Sequence, residues 1–394
     1  MTQIQLTNFG QIQTANIKFG DLTLFVGPQA TGKSLLLQLI KLLIDRDHIL
    51  YTIEQNGYDW EQNVFSFMEF YYGEGMGKLW NSKKTTLHFN LHQINLPEFL
   101  QNNRESEANH EPLNIRENIF FIPAQRVLTL ENGWPRSFTS FDLGTPYIVR
   151  RFSENLRLLI EHLSLQNRLI FPQKERFNST INQTISETIF HQSQVTINTV
   201  GMRKRIQINF NNYQLPFMAW SAGQREFMPL LLSLYHLTPI PKNRSKSRPI
   251  DWVIIEEPEM GLHPRAILSV MLIFLELLDQ GYRLIISTHS PVMLEAIWAI
   301  RILQQTNPQP KYCQQMFELE PSESMTKLFK NILNNKKFST YYFEDQHPDV
   351  VVRNISSLDP FDPDSAIADW GGLTSFSSKV SEIISEAVQA GESN

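Results

Sequence analysis

Gly27-Pro28-Gln29-Ala30-Thr31-Gly32-Lys33-Ser34 lies between an apolar run, Leu22 to Val26, and a stretch in which Leu35, Leu36, Leu39, Leu42 and Leu43 recur at helical spacing as far as Asp45. The eight residues fit the phosphate-loop pattern at each fixed position, and their setting of buried strand, glycine turn and helix is the one that pattern requires. Glycines let backbone N–H groups turn toward phosphates, and the helix N-terminus adds a favourable dipole. Lys33 is expected to reach the outer phosphates of a nucleotide, and the Ser34 hydroxyl to hold magnesium.

Upstream of the loop the chain alternates in strand fashion, Ile4 and Leu6 and then Ile17 and Phe19. Downstream, Thr85 to Leu91 and Asn118 to Ile122 read as strands and Gln101 to Glu111 as a polar surface loop. Phe152 to Phe171 and Arg176 to Phe190 read as helices. Val195 to Thr199 and Ile206 to Phe210 form a hairpin turning near Gly201. Past a proline-bounded loop with Lys242, Arg244, Lys246 and Arg248, apolar strands Trp252 to Ile255 and Arg283 to Ser287 alternate with helices Pro264 to Leu278 and Val292 to Gln304. Strands alternating with helices imply a largely parallel sheet. Beyond Asn307 the pattern fades, with short strands at Tyr341 to Phe343 and Val350 to Arg353 before a last helix, Ser377 to Val388.

Four further groups carry chemistry. Glu256 and Glu257 end the apolar strand Trp252 to Ile255, where one acid suits magnesium and the next an attacking water. Ser221-Ala222-Gly223-Gln224 precedes an apolar helix, and Ser221 fits its N-cap. His289, in Ser287-Thr288-His289-Ser290-Pro291, ends the next strand, where an imidazole can meet a γ-phosphate or the water. Gln125, in Pro123-Ala124-Gln125-Arg126, offers an amide to magnesium, and Arg126 a cation to phosphate or a neighbouring acid. Taken singly, the carboxylate pair, the cap and the histidine each read more readily as a solvated edge, a helix cap and a packed polar side chain. Their order along the chain is what turns them into a nucleotide site.

That order of phosphate loop, Gln125, Ser-x-Gly-Gln, acidic strand, Glu259-Met260-Gly261-Leu262-His263-Pro264 and Ser-Thr-His resembles the ABC-type ATPase superfamily. Within it, Glu-Glu-Pro-Glu, Leu-His-Pro and Pro-Ala-Gln-Arg look most like the soluble ATPases of the overcoming-lysogenization-defect (OLD) type and their relatives in bacterial defence systems, over about Met1 to Leu303. The resemblance implies an α/β P-loop NTPase of ABC type with a mixed sheet, an inserted helical subdomain at about 140–192 and a short α+β tail. The ATPase domain is expected at 1–310 and a C-terminal extension at 311–394. It further implies ATP and Mg2+ as cofactors, with Ser34, Gln125 and Glu256 toward the metal, and Glu257, His289 and Gln125 in catalysis. Ser221, Gly223 and Gln224 would cap the γ-phosphate held by a second copy, and Glu259 to His263 would lie at the dimer seam. Two motifs depart from the wider pattern: Glu256 stands where Asp is usual, and Trp-Ser-Ala-Gly-Gln replaces the transporters' Leu-Ser-Gly-Gly-Gln.

Composition sets the outer bounds. Among 394 residues 42% are hydrophobic and 19% charged, an ordinary globular balance. The net charge of −5 does not advertise a polyanion partner, leaving only local basic points such as Arg150 and Arg151, Arg203 to Arg205 and the Lys242 to Arg248 loop. Apolar runs are too short to span a bilayer and no signal core opens the chain, so a cytoplasmic protein without a membrane is expected. The lone Cys313 allows no internal disulfide. OLD nucleases carry a TOPRIM domain with a strand-borne Glu and an Asp-x-Asp pair. Here Asp359, Asp362 and Asp364 fall in a proline-rich loop, so the chain itself is not expected to cut nucleic acid.

The expected function is therefore a homodimeric ATPase, or a larger assembly of it, acting as sensor or scaffold of an anti-phage defence or toxin-like system. Its effector, a nuclease or toxin, would be a separate protein, and nucleic acid is an open partner. The alternatives are an SMC-like DNA repair or tethering ATPase, against which the lack of long coiled-coil arms counts, and a transporter motor subunit.

Overall fold

The structure is a computed structural model that describes residues 1–101, 115–166, 168–173, 175–200, 202–210, 212–238 and 250–392. Most of the expected loop at 101–111, the hairpin turn at 201 and the basic loop at 242–248 lie outside these residues.

The chain opens with β1 (Gln3–Phe9), β2 (Ile12–Lys18) and β3 (Leu22–Val26), then α1 (Lys33–Gln55) and α2 (Val64–Tyr72). β4 (Thr86–Phe89), β5 (His92–Gln93), α3 (Leu96–Gln101) and β6 (Ile119–Ile122) follow. A small hairpin, β7 (Leu130–Glu131) and β8 (Trp134–Pro135), leads into α4 (Tyr147–Gln166), β9 (Leu169–Phe171) and α5 (Ser179–Thr188). Next come β10 (Gln194–Val200), β11 (Arg203–Asn209), β12 (Gln214–Pro216), α6 (Ala222–Leu237), β13 (Trp252–Glu256), α7 (Pro264–Asp279), β14 (Arg283–Ser287) and α8 (Pro291–Thr306). The last part holds α9 (Pro310–Met316), α10 (Glu323–Asn335), β15 (Phe338–Gln346), β16 (Asp349–Asn354), α11 (Ser365–Ala368) and α12 (Ser375–Glu392).

A ten-stranded sheet in the order β5-β4-β1-β2-β16-β15-β3-β14-β13-β6 forms the centre. It is mixed, as expected: β3, β14, β13 and β6 run parallel, whereas β1 pairs antiparallel with β2 and β4. The inner strands are buried on both faces and divide their side chains between two cores. Leu22, Leu24 and Val26 point to one and Phe25 to the other; Val253 and Ile255 to the first and Trp252 and Ile254 to the second. Each such fully buried aliphatic side chain is worth about 1.5–3 kcal/mol over exposure, which explains why these runs read as continuously apolar. The leucines of α1 cover the second core, and α6, α7 and α8 the first.

The structure adds to or alters the sequence reading in four places. α1 does not end at Asp45 but continues to Gln55 through a non-helical Asp45 (φ −111°, ψ 24°). The kink has a cause: the Asp45 carboxylate accepts from the N–H groups of Asn118 (2.8 Å) and Ile119 (3.0 Å), tying the helix to the edge of β6. Leu169–Phe171 is a strand rather than the end of a helix, because it pairs with β10 in a separate four-stranded sheet, β12-β11-β10-β9. The insertion at about 140–192 thus holds α4 and α5 with a strand between them. α9 and α10 fill the region where the pattern seemed to fade; α10 buries Met325, Leu328, Phe329, Ile332 and Leu333 and is capped by Ser322. Finally, β15 and β16, within the segment expected as an extension at 311–394, lie inside the main sheet, β15 parallel to β3 and β16 parallel to β2.

Candidate functional site

The loop at 27–34 emerges from the buried end of β3. Gly27 has φ 140°, and a Cβ there would come within 2.6 Å of the Phe343 carbonyl on β15, so only glycine fits between the tail strand and the loop. The tip, Pro28 to Ala30, is exposed, while Thr31, Gly32 and Lys33 are buried. Gln11 donates to the Ala30 carbonyl and Thr31 to that of Pro28 (2.9 Å), fixing the loop's path. Lys33 Nζ folds back onto the carbonyls of Gly27 (2.9 Å) and Pro28 (2.6 Å). Burial pulls its ammonium down to about 8 despite the attraction of Glu257, Glu259 and Glu256, so desolvation outweighs three neighbouring carboxylates.

β13 delivers the acids to the same edge. Glu256 is buried; its carboxylate takes one bond from the Ala124 N–H (3.1 Å) and one from the Ser34 hydroxyl, while Oε1 has no partner. Burial raises its carboxyl above the ordinary range. Glu257 turns into the left-handed region (φ 44°), an unusual conformation for a residue with a side chain. It is held there by its N–H to the Ser287 carbonyl (2.9 Å) and by Arg126 on its own carbonyl (3.0 Å). Its carboxylate faces His289 Nε2 at 3.5 Å, and that hydrogen bond lowers its carboxyl below the usual range. Two adjacent acids are thereby driven apart, one toward neutrality by burial and one toward the anion by a histidine.

The remaining residues frame this pair. Glu259, half-buried, accepts from Thr288 Oγ1 (2.8 Å) and the His289 N–H (2.6 Å), so it anchors the Ser-Thr-His turn; its Oε2 is buried without a partner, and desolvation raises its carboxyl. That anchoring went unread in the sequence, where Glu259 stood only at a dimer seam. Arg126 is fully buried and meets a neighbouring acid, the Glu226 carboxylate at 3.8 Å, while donating to the carbonyls of Glu256 (2.9 Å), Glu257 (3.0 Å) and, on α6, Glu226 (3.0 Å). It binds the Gln125 turn, the acidic strand and the Ser221 helix into one piece. Gln125 itself is exposed at the start of a short turn and its side chain caps nothing.

Ser221 and Gln224 form a capping box, with the Gln224 N–H to Ser221 Oγ and the Ser221 N–H to Gln224 Oε1, both at 3.3 Å. Gln224 Nε2 also bonds the Ile189 carbonyl (3.0 Å), linking α6 to the end of α5. Gly223 lies against Gly261, whose carbonyl would be 2.4 Å from any Cβ at 223. His263 caps α7 through the Arg265 N–H (3.3 Å). The structure therefore brings the loop at 27–34, Glu256, Glu257 and His289 together, and keeps Ser221 to Gln224 bonded only within α6 and to α5. In the tail, Asp364 caps α11 and pairs with Arg353, and Asp359 and Asp362 accept from nearby backbone N–H groups. Among the described residues no helix is long and apolar enough to cross a membrane.

Among known proteins, the Old nuclease of Escherichia phage P2 is 27% identical over 165 residues, 39% of this chain. The aligned stretch spans 28% of that nuclease's length. This match accords with the resemblance to OLD-type ATPases read from the motifs. Among solved structures, an SMC head domain from Thermotoga maritima is 11% identical, covering 90% of this chain and 98% of its own, with a TM-score of 0.32. A dimeric bacterial ABC transporter cassette is 12% identical, covering 73% and 88%, with a TM-score of 0.31. Overlaps this loose are likenesses only. The phosphate loop, both acids and the Ser-Thr-His turn all fall within residues 22–295, which match the family model "AAA domain, putative AbiEii toxin, Type IV TA system", and the chain belongs to that family.

Proposed function

We propose that the chain binds and hydrolyses ATP at a site completed by Ser221, Gly223 and Gln224 of a second copy, and that turnover gates a separate effector in a bacterial defence or toxin-like system. The observation that carries the ATPase reading is the split acid pair beside Lys33. Glu256 keeps a buried oxygen without a partner next to the Ser34 hydroxyl, a set of hard oxygen donors that suits Mg2+. When bound there, the ion would neutralise charge on the β- and γ-phosphates.

The protein groups divide the remaining work. Lys33, now resting on carbonyls of its own loop, turns to the phosphates when they arrive. Glu257, held as the anion by His289, accepts a proton from the attacking water, and His289 donates toward the γ-phosphate. Gln125, exposed at the loop's edge, is free to turn its amide toward the metal. Ser221 and Gln224 have no bond to their own phosphate loop, and Ser221 is exposed at a helix N-terminus, where an anion is favoured. The family's description as a toxin and the nuclease relative support a defence role, with the destructive step on another protein.

Mixing tests the shared site. Lys33→Ala and Ser221→Arg copies should each be inactive alone. Together they form mixed dimers in which one site combines an intact loop with an intact Ser221 segment, and turnover returns. No recovery on mixing sinks the shared site. The defence reading is tested by co-expression with the neighbouring gene product, and fails if that product is harmless and without effect on phage growth. An SMC-like tethering ATPase would instead retard duplex DNA with steep salt dependence.

A further inference from the structure

Away from the acids, a cavity of about 740 Å³ opens between the β7–β8 hairpin, the turn after it and β11. That volume is in the range of small-ligand pockets. Four of its lining side chains are cations: Arg136, Arg203, Lys204 and Arg205. In a chain of net charge −5 this is a local reversal of sign. The carboxylates nearby do not cancel it, because Glu161 is paired with Arg157 (2.6 Å), leaving Glu131 at the rim. Arg203 is exposed and Arg205 partly so, and neither has an ion pair or side-chain hydrogen bond among the described residues. The Arg136 guanidinium sits over the Phe141 ring, 4.1 Å from its centroid, and donates to the Ser140 carbonyl, while its Nε is buried and without a hydrogen-bond partner. Trp134, half-buried, supplies an aromatic surface in the same lining.

We propose that this cavity is a second site for a nucleotide phosphate and its base, supplied by a single-stranded nucleic acid or by a free nucleotide. Planar guanidinium groups match phosphate oxygens, and an aromatic face stacks on any base. The walls also lead to the ATP site. β7 follows directly on the Gln125 turn, and the Arg136 N–H bonds the Thr129 carbonyl at its end (3.0 Å). The opposite wall, β11, runs through β12 to Phe217 and Ser221, and Gly133 packs so closely on Phe217 that a Cβ would come within 2.7 Å of it. A ligand drawing the walls together therefore bears on Gln125 and Ser221 at once, a consequence that rests on the ATPase reading.

The test measures binding of a labelled 12-nucleotide oligothymidylate, and separately of thymidine monophosphate, to the full chain with the ATP site saturated by a non-hydrolysable ATP analogue. Four phosphate contacts predict a log–log salt slope of about −2.8 for a single strand. Arg203→Gln/Arg205→Gln should reduce that slope by about 1.4 and weaken binding roughly 25-fold at 0.1 M salt, leaving basal ATP turnover unchanged. The single, fully surface change Arg203→Gln should remove about 0.7 of slope. Binding of the mononucleotide alone, lost in the double variant, identifies the free nucleotide as the ligand. No binding of either probe, or equal binding and slope in the variants, overturns the site. Lys33→Ala should retain strand binding, so a failed ATPase reading and a failed second site give different results.

Discussion

Two clusters of buried charge lie along α1. At its start, Lys33 stands before Glu256, Glu257 and Glu259, and both Glu256 and Glu259 keep a buried oxygen with no partner. Further along, Lys41 donates to Asp45 (2.7 Å), to Glu117 (2.7 Å) and to the Ile119 carbonyl. Glu117 is shared in turn with Arg151 (2.8 Å). The second cluster is closed: the neighbouring Lys41 and Arg151 hold the Glu117 carboxyl far below the usual range although burial alone would raise it. The first is open, and burial pushes its Glu256 and Glu259 upward, outweighing at Glu256 the hydrogen bonds from Ser34 and Ala124 and the charge of Arg126. Residue types are alike in the two places. What separates a binding site from a structural tie is unfilled hydrogen-bonding capacity.

The sharpest way to break this comparison is at Glu257. Glu257→Gln should bind ATP normally, lose roughly 10²–10⁴-fold in turnover and accumulate as an ATP-bound dimer, with unfolding unaltered. Single-turnover kinetics and sedimentation check this, and near-normal turnover would remove the assigned role. Lys41→Met should do the reverse. It takes from buried Asp45 its cation and leaves Glu117 with Arg151 alone, which costs about 3–5 kcal/mol of stability in denaturant titrations, while the folded fraction keeps its affinity for ATP. A loss of ATP affinity without a loss of stability would merge the two clusters.

Acid separates them more gently. Burial lowers His48, beside Arg151, to about 4, so between that value and the ordinary 6.5 the unfolded chain binds the extra proton. Stability should fall as pH drops through this window. Below about 4.5, Glu117 adds to the loss, because its depressed carboxyl stabilises the fold only while ionised. His48→Asn should flatten the upper part of the profile, and an unchanged slope would count against it. The smallest effect concerns Lys33, which titrates near 8 when the loop is empty. Phosphates raise it again, so above that pH ATP binding should take up a fraction of a proton and weaken as pH climbs. Calorimetry in buffers of different ionisation enthalpy measures the uptake, and Lys33→Arg should abolish it.

The open cluster was legible in the sequence because its parts are local patterns: a glycine loop after an apolar strand, two acids ending another, a serine cap before a helix. Reading them required order along the chain and little else. The closed cluster left no trace, since Lys41, Glu117 and Arg151 meet only through tertiary packing. The strand at 169–171 was hidden for a similar reason: its partner β10 decides its state, and a short apolar run alone does not choose between strand and helix. α10, by contrast, carries a local signal in the helical spacing of Met325, Leu328, Phe329 and Ile332. The places of β15 and β16 were not, because parallel pairing between distant segments leaves no mark in either one.

That pairing has a consequence for synthesis. Leu22 pairs in register with Phe338 and Val26 with Tyr342, so the strand that presents the phosphate loop gains one of its two neighbours only after residues 338–342 have left the ribosome. Until then β3 exposes an apolar edge that invites a chaperone or a wrong partner. A chain cut before Phe338 would keep the motifs from Gly27 to His289 and lose the Phe343 carbonyl that closes on Gly27, so the shape of the phosphate loop depends on a strand made long after it.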